Sequence, residues 1–348
     1  MGVIMNNLLS YSGINTKVRA MDSNLISADD YRKIANLEST VDVIAFLKNH
    51  PGYREILDSF DERALHRGDA ERIFINGLYL DYAKIYRFAN ITQRRVLDLI
   101  FFRYEVNILK SCIRLVYNAQ DTYDLSIFSS FFSMHSDINV TALAASHTMD
   151  EYINNLKGTE YYPMFVRIQN SSHVTSFDYE MQLDIYYFQK SWKLKDKYLK
   201  GNNNKVFTRR FGIEIDLLNI MWIFRSKRVY DMNSGDIFAY MIPVNYKLSK
   251  DQMIRLVGSN SIDEFIAIIK TTYYKALYQD LVDDNVELAY ENMLTKVYKE
   301  NKAKYPASMA TAAFYLYQKD TERMRLTTAL ECIRYGLEPQ DKLKYIFQ

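Results

Sequence analysis

Asp216-Leu217-Leu218-Asn219-Ile220-Met221-Trp222-Ile223-Phe224-Arg225 is an apolar run opened by a carboxylate and closed, nine positions later, by an arginine. Phe207, Phe211, Ile215, Leu218 and Trp222 recur at helical spacing along one face of this stretch, with Ile213, Leu217, Ile220 and Phe224 beside them. A helix apolar on more than one side packs against several neighbours. The same acid-to-arginine spacing recurs from Glu105 to Arg114, and Cys332-Ile333-Arg334 repeats Cys112-Ile113-Arg114 with Arg325 where the acid is expected. Arg114 and Arg225 lie 111 residues apart, Arg225 and Arg334 109 apart. A second signature keeps the same register. Thr40-Val41-Asp42, Thr148-Met149-Asp150 and Ser261-Ile262-Asp263 each open a helix, and Tyr53, Tyr161 and Tyr274 follow the aspartates by 11 residues. The chain reads as a tandem triplication, with units at 1–118, 119–229 and 230–348.

Each unit reads as two short helices followed by a long helical pair. The pairs are expected over 69–89 and 92–117, 176–199 and 204–229, and 283–304 and 307–335. Thr92 is expected to cap the second long helix, Gly201-Asn202-Asn203-Asn204 to form a loop, and Pro306 to divide the last pair. Ser27 and Asp30, Thr40, Asp137 and Thr148, Ser249 and Ser261 mark the short helices. Thr148-x-x-Glu151 and Ser261-x-x-Glu264 have capping-box spacing, whereas Thr40 has Val43 in that place. Only 11 Gly and 5 Pro against 48% hydrophobic residues favour an all-α protein.

Composition excludes several functions. A net charge of +2 offers no field for nucleic acid or anionic lipid. No window reaches the roughly 18 apolar residues of a membrane span, and Met1 to Ser10 lacks the pattern of a signal peptide. Cys112 and Cys332, the only cysteines, sit among apolar neighbours and read as buried thiols rather than metal ligands. His50, His66, His135, His147 and His173 are scattered and read as surface or cap residues. No phosphate-cradling glycine loop or nucleophile elbow is present, so no cofactor or metal site is expected. The one enzyme-like string is Asp283-Asp284-Asn285-Val286-Glu287, a DDxxE that resembles a Mg²⁺–diphosphate motif. Its required second motif is missing from the residues that follow, and acids at a helix N-terminus complement the macrodipole.

Arg114, Arg225 and Arg334, with Lys227 and Arg228 beside the second, stand at the C-terminal ends of equivalent helices. A cation there offsets unpaired carbonyls, at about 0.3–1 kcal/mol each. Threefold repetition would also place these ends around one mouth, as a basic collar for an acidic partner.

Tyr11-Ser12-Gly13-Ile14-Asn15-Thr16-Lys17-Val18-Arg19-Ala20-Met21-Asp22-Ser23-Asn24-Leu25-Ile26-Ser27 resembles the start of the C subunit of V/A-type rotary ATPases, the d subunit of the eukaryotic V-ATPase. Glu105-Val106-Asn107 through Arg114 and Asp216 through Asn219 to Arg225 resemble that family's repeat ends, as does Ile333-Arg334-Tyr335-Gly336-Leu337-Glu338-Pro339. The last long helix departs from the family, reading Glu322-Arg323-Met324-Arg325-Leu326-Thr327-Thr328. The resemblance implies three similar helical domains in a funnel about a pseudo-threefold axis. It implies a non-catalytic, peripheral rotor subunit, monomeric when isolated, on the cytoplasmic side of the membrane. Its partners would be the membrane rotor ring and the D and F subunits of the central stalk. The residues alone also fit a three-repeat adaptor for an acidic protein, unrelated to a rotary motor.

Overall fold

The computed structural model describes residues 2–63, 65, 67–118, 125–171, 174–230, 232–283 and 285–347. These residues form helices and turns, with no strand among them, so the protein is all-α. His66, His173, Asp284 and the Ala119 side of the first unit boundary lie outside the described residues. The chain packs as two compact units: Met1–Arg94, Asp124–His135 and Met309–Gln348 form the first, Arg95–Tyr123 and Ser136–Ser308 the second.

In the first unit the hub is the helix Ala310–Arg334, against which Arg67–Phe88, Gly2–Asp22 and Pro339–Phe347 pack. Its Leu326, Ala329, Leu330 and Ile333 share a core with Tyr31, Ile34 and Val43, with Ile44 and Leu47, and with Ile73 and Phe74. Burial of each such large side chain contributes about 1.5–3 kcal/mol. Arg325, in the place where an acid was expected, lies over the Phe347 ring at 5.1 Å and helps seat the closing helix. Tyr79 stacks on Phe131 with centroids 4.6 Å apart, fastening helix Ser126–Ser133 to Arg67–Phe88.

In the second unit the hub is Gly201–Arg228, which Val286–Lys304 and Ser176–Tyr198 flank. Phe207, Phe211, Ile213, Ile215, Leu217, Ile220, Ile223 and Phe224 are all buried on it, as the wide apolar stripe requires. Gly212 is obligatory: a Cβ there would fall 2.4 Å from the Tyr246 ring, which crosses the helix at that point.

Local chemistry moved several boundaries. Residues 201–204 are the first turn of a helix rather than a loop. Gly201 takes a left-handed φ of 55° to turn the chain, and the Asn204 amide donates back to the carbonyls of Lys195 and Leu199. Asn90, not Thr92, caps Ile91–Asn118: its Oδ1 accepts from the Gln93 amide while Gln93 Oε1 accepts from the Asn90 amide. Ser39, not Thr40, caps Thr40–Asn49, and Asn139 takes the place given to Asp137. Thr148 and Ser261 cap as expected. Their Glu151 and Glu264 accept from the amides of His147 and Asn260, one residue before the cap. Because Ser39 reaches the amide of Asp42, Asp42 holds the position of Glu151 and Glu264, not that of Asp150 and Asp263.

Candidate functional site

Three buried tyrosine–carboxylate bonds organise the molecule. Tyr53, Tyr161 and Tyr274 are all at most 1% exposed. Tyr274 donates to Asp216 at 2.8 Å, Tyr161 donates to Glu105, and Tyr53 donates to Glu322 at 2.7 Å. The third acid was missed in the sequence because it precedes Arg334 by 12 residues rather than nine, one helical turn earlier.

Each carboxylate also holds the segment leading into the next pair of short helices. Asp216 accepts the amides of Tyr246, Lys247 and Leu248, just before the cap Ser249. Glu322 accepts the amide of Ile26, just before the cap Ser27. Glu105 accepts from Ser136, shortly before the cap Asn139. The short helices after the caps Asn139 and Ser249 are therefore fastened, at both ends, to the preceding long helices Ile91–Asn118 and Gly201–Arg228, and those after Ser27 to Ala310–Arg334.

The acids differ in their electrostatics. Burial pushes the carboxyls of Glu105 and Asp216 above the usual range, opposed by the hydrogen bonds each accepts. Burial, and then the adjacent carboxylate, pushes all three tyrosine hydroxyls well up. Each hydroxyl donates and each carboxylate accepts inside the helical packing. Of the three, and among the described residues, Glu322 alone has a buried cation bonded to it: Lys319 donates to its Oε1 at 2.6 Å.

The basic helix ends are half-exposed, and each arginine meets an acid. Arg114 donates to Glu180 at 2.7 Å, Arg225 pairs with Glu287, and Arg334 lies 3.2 Å from Glu331. Such exposed pairs contribute about 0–1 kcal/mol. Lys227 donates to the Ser259 carbonyl at 2.6 Å and so closes the end of helix Lys250–Gly258. Arg228 lies over the Phe224 ring at 5.5 Å. Arg114, Arg225, Lys227 and Arg228 belong to the second unit and Arg334 to the first.

The other sequence candidates fall elsewhere. Asp283 accepts from Gln279 at 2.9 Å, and Glu287 is engaged by Arg225. His50 follows Thr40–Asn49 as its C-cap and stacks on Phe46, whereas His135 is half-buried and meets the stacked rings of Tyr82 and Tyr86 edge-on. Cys112 and Cys332 are buried, and burial pushes the Cys112 thiol up to about 12. Among the described residues no group of His, Cys, Asp and Glu has metal-holding geometry, and no helix is long and apolar enough to cross a membrane.

A model of the family described as "ATP synthase (C/AC39) subunit" matches residues 14–345. The chain belongs to this family. It is 25% identical to the C subunit of the A-type ATP synthase of Methanosarcina mazei over 341 residues, covering 95% of this chain and 91% of the relative. The Methanosarcina barkeri protein of the same name is 25% identical, with 96% and 92% covered. That of Pyrococcus abyssi is 23% identical, with 97% and 90% covered.

Proposed function

We propose that this chain is the non-catalytic component that couples the central stalk of a V/A-type ATPase, its D and F subunits, to the membrane rotor ring. It serves H⁺ or Na⁺ transport from the cytoplasmic face, without entering the bilayer. Family membership supports the assignment to the complex, and the three tyrosine–carboxylate closures are the observation that carries the mechanical part. A coupling element must pass torque through packing and hydrogen bonds. Closures that fasten every repeat to its predecessor, the first to the last included, suit a ring of three repeats of about 110 residues around a pseudo-threefold axis.

On this reading Arg114, Arg225, Lys227, Arg228 and Arg334 line the mouth that receives the stalk tip. The acid partner of Arg114, Arg225 and Arg334 gives each of these helix ends alternating charge, which would set register and association rate more than affinity. The test is co-expression of a tagged chain with ring and stalk subunits. Recovery of both with the tag is expected. A chain that elutes alone while ring and stalk subunits are present and folded overturns the assignment.

A further inference from the structure

Lys319 is 2% exposed, and the fold does not require a lysine there. It stands three residues before Glu322. The residues three before the sister acids Glu105 and Asp216 are Phe102 and Ile213, both buried. Two of the three places are therefore filled with hydrocarbon, and among the described residues no buried cation is bonded to their carboxylates. Putting an ammonium group in it is costly unless the group is well paired.

Lys319 has three donors. One goes to Glu322 Oε1 at 2.6 Å, and the ammonium sits 4.1 Å from the centre of the Tyr53 ring. It also lines a cavity of about 310 Å³ together with Lys17 and Lys84. That volume far exceeds the roughly 10–15 Å³ a single water needs. Two of the acids nearby are already engaged, and Glu55, which also lines the cavity, faces solvent. Asp81 accepts from Tyr315 at 2.6 Å, and Glu322 holds Tyr53 and the Ile26 amide. Lys84 is held only loosely, 3.4 Å from Asp81 and 3.5 Å from Glu55, against about 2.7–2.9 Å for a close ionic hydrogen bond. The wall by Gly52 is fixed by close approach, since a Cβ there would fall 2.3 Å from the Asn24 carbonyl oxygen.

We propose that this cavity binds a small oxyanion, a phosphate or a carboxylate, with Lys319 at its floor and Lys84 and Lys17 at its sides. The bound anion shares Lys319 with Glu322 and so stiffens the closure of the first repeat on the last long helix. The site is independent of the stalk and ring assignment.

The test is calorimetric titration of the full-length chain with inorganic phosphate, pyrophosphate and citrate, at ionic strength held constant with sodium chloride. Saturable one-to-one binding of at least one probe is expected. Phosphate or pyrophosphate alone identifies a phosphate site, citrate alone a carboxylate site. Lys84→Gln and Lys17→Gln, both on the periphery, are expected to weaken binding about tenfold each, the loss of one charge-assisted bond. Lys319→Met is expected to abolish it, with folding checked by circular dichroism. The proposal fails if no probe saturates, or if both peripheral variants bind as the wild type does. Undiminished binding by a folded Lys319→Met chain also overturns it.

Discussion

Replacing Tyr53, Tyr161 and Tyr274 by phenylalanine, one at a time, tests whether the three closures are equivalent. Each substitution removes one oxygen and leaves the ring in place, so no cavity term enters. What is lost is a buried hydroxyl bond to a carboxylate, 2.7 Å long at Tyr53 and 2.8 Å at Tyr274. Bonds to charged acceptors contribute about 1.5–3 kcal/mol. The remaining partners grade the series. Asp216 keeps three amides when Tyr274 is changed, which puts that variant at the low end. Glu322 keeps Lys319 and the Ile26 amide. Glu105 keeps Ser136 among its close donors, which puts Tyr161→Phe at the high end. At about 2–4 °C per kcal/mol for bodies of 150–250 residues, the melting temperatures fall by about 3–12 °C. Urea unfolding followed by circular dichroism supplies the free energies alongside calorimetric melting. A variant within about 0.5 kcal/mol of wild type would show that its hydroxyl does no more than an ordinary surface group, and would break the equivalence of the repeats.

Ser39→Ala should cost about 0.5–2 kcal/mol and Thr40→Ala far less, because Ser39 is the cap; urea unfolding that ranks them the other way restores Thr40 to that role. Burial raises the Glu105 pKa, so the folded state binds that proton more tightly than the unfolded chain and stability falls as pH rises from the ordinary carboxylate range to the raised value. Wild type should therefore gain stability relative to Glu105→Gln as pH is lowered from neutrality through that window, and a pH-independent difference refutes this. Reversing Arg114, Arg225 and Arg334 to Glu together sets like charges against Glu180, Glu287 and Glu331, so melting should drop slightly. Stalk association at low salt should slow about tenfold or more, and an unchanged rate for the folded variant removes these residues from the docking surface.

How much of this was legible depends on the range of the interaction. Helix type is local, and the apolar stripe of Phe207, Phe211 and Ile215 displayed it directly; pairing is not, for Ser176–Tyr198 packs on Gly201–Arg228 as expected, whereas Arg67–Phe88 packs on Ala310–Arg334 and Val286–Lys304 on Gly201–Arg228. Caps depend on a single residue's backbone, so adjacent Ser39 and Thr40 look alike in sequence while only one hydroxyl meets the amide of Asp42. The N-terminal helix Gly2–Asp22 has no strong signal of its own: among its described side chains Ile14, Val18 and Met21 are buried, and the helix packs on Ala310–Arg334. The tyrosines and two of the acids were visible as separate periodicities. Their bonding was not, because Tyr53 and Glu322 lie 269 residues apart and spacing says nothing about such a pair.

The missed acid carries the most instruction. A strict nine-residue rule placed Arg325 at the site, yet a carboxylate one turn earlier on the same helix face reaches the same hydroxyl. What recurs from repeat to repeat is where an oxygen arrives, not the index of the residue that bears it. Sliding the acid back by a turn also changed its surroundings. At this closure the position that holds Phe102 or Ile213 elsewhere became Lys319, and the acid acquired a buried cation with a cavity beside it. The repeat whose signature was broken in the sequence is thus the one whose closure differs chemically, and that is where the chain carries a feature its two sisters do not share.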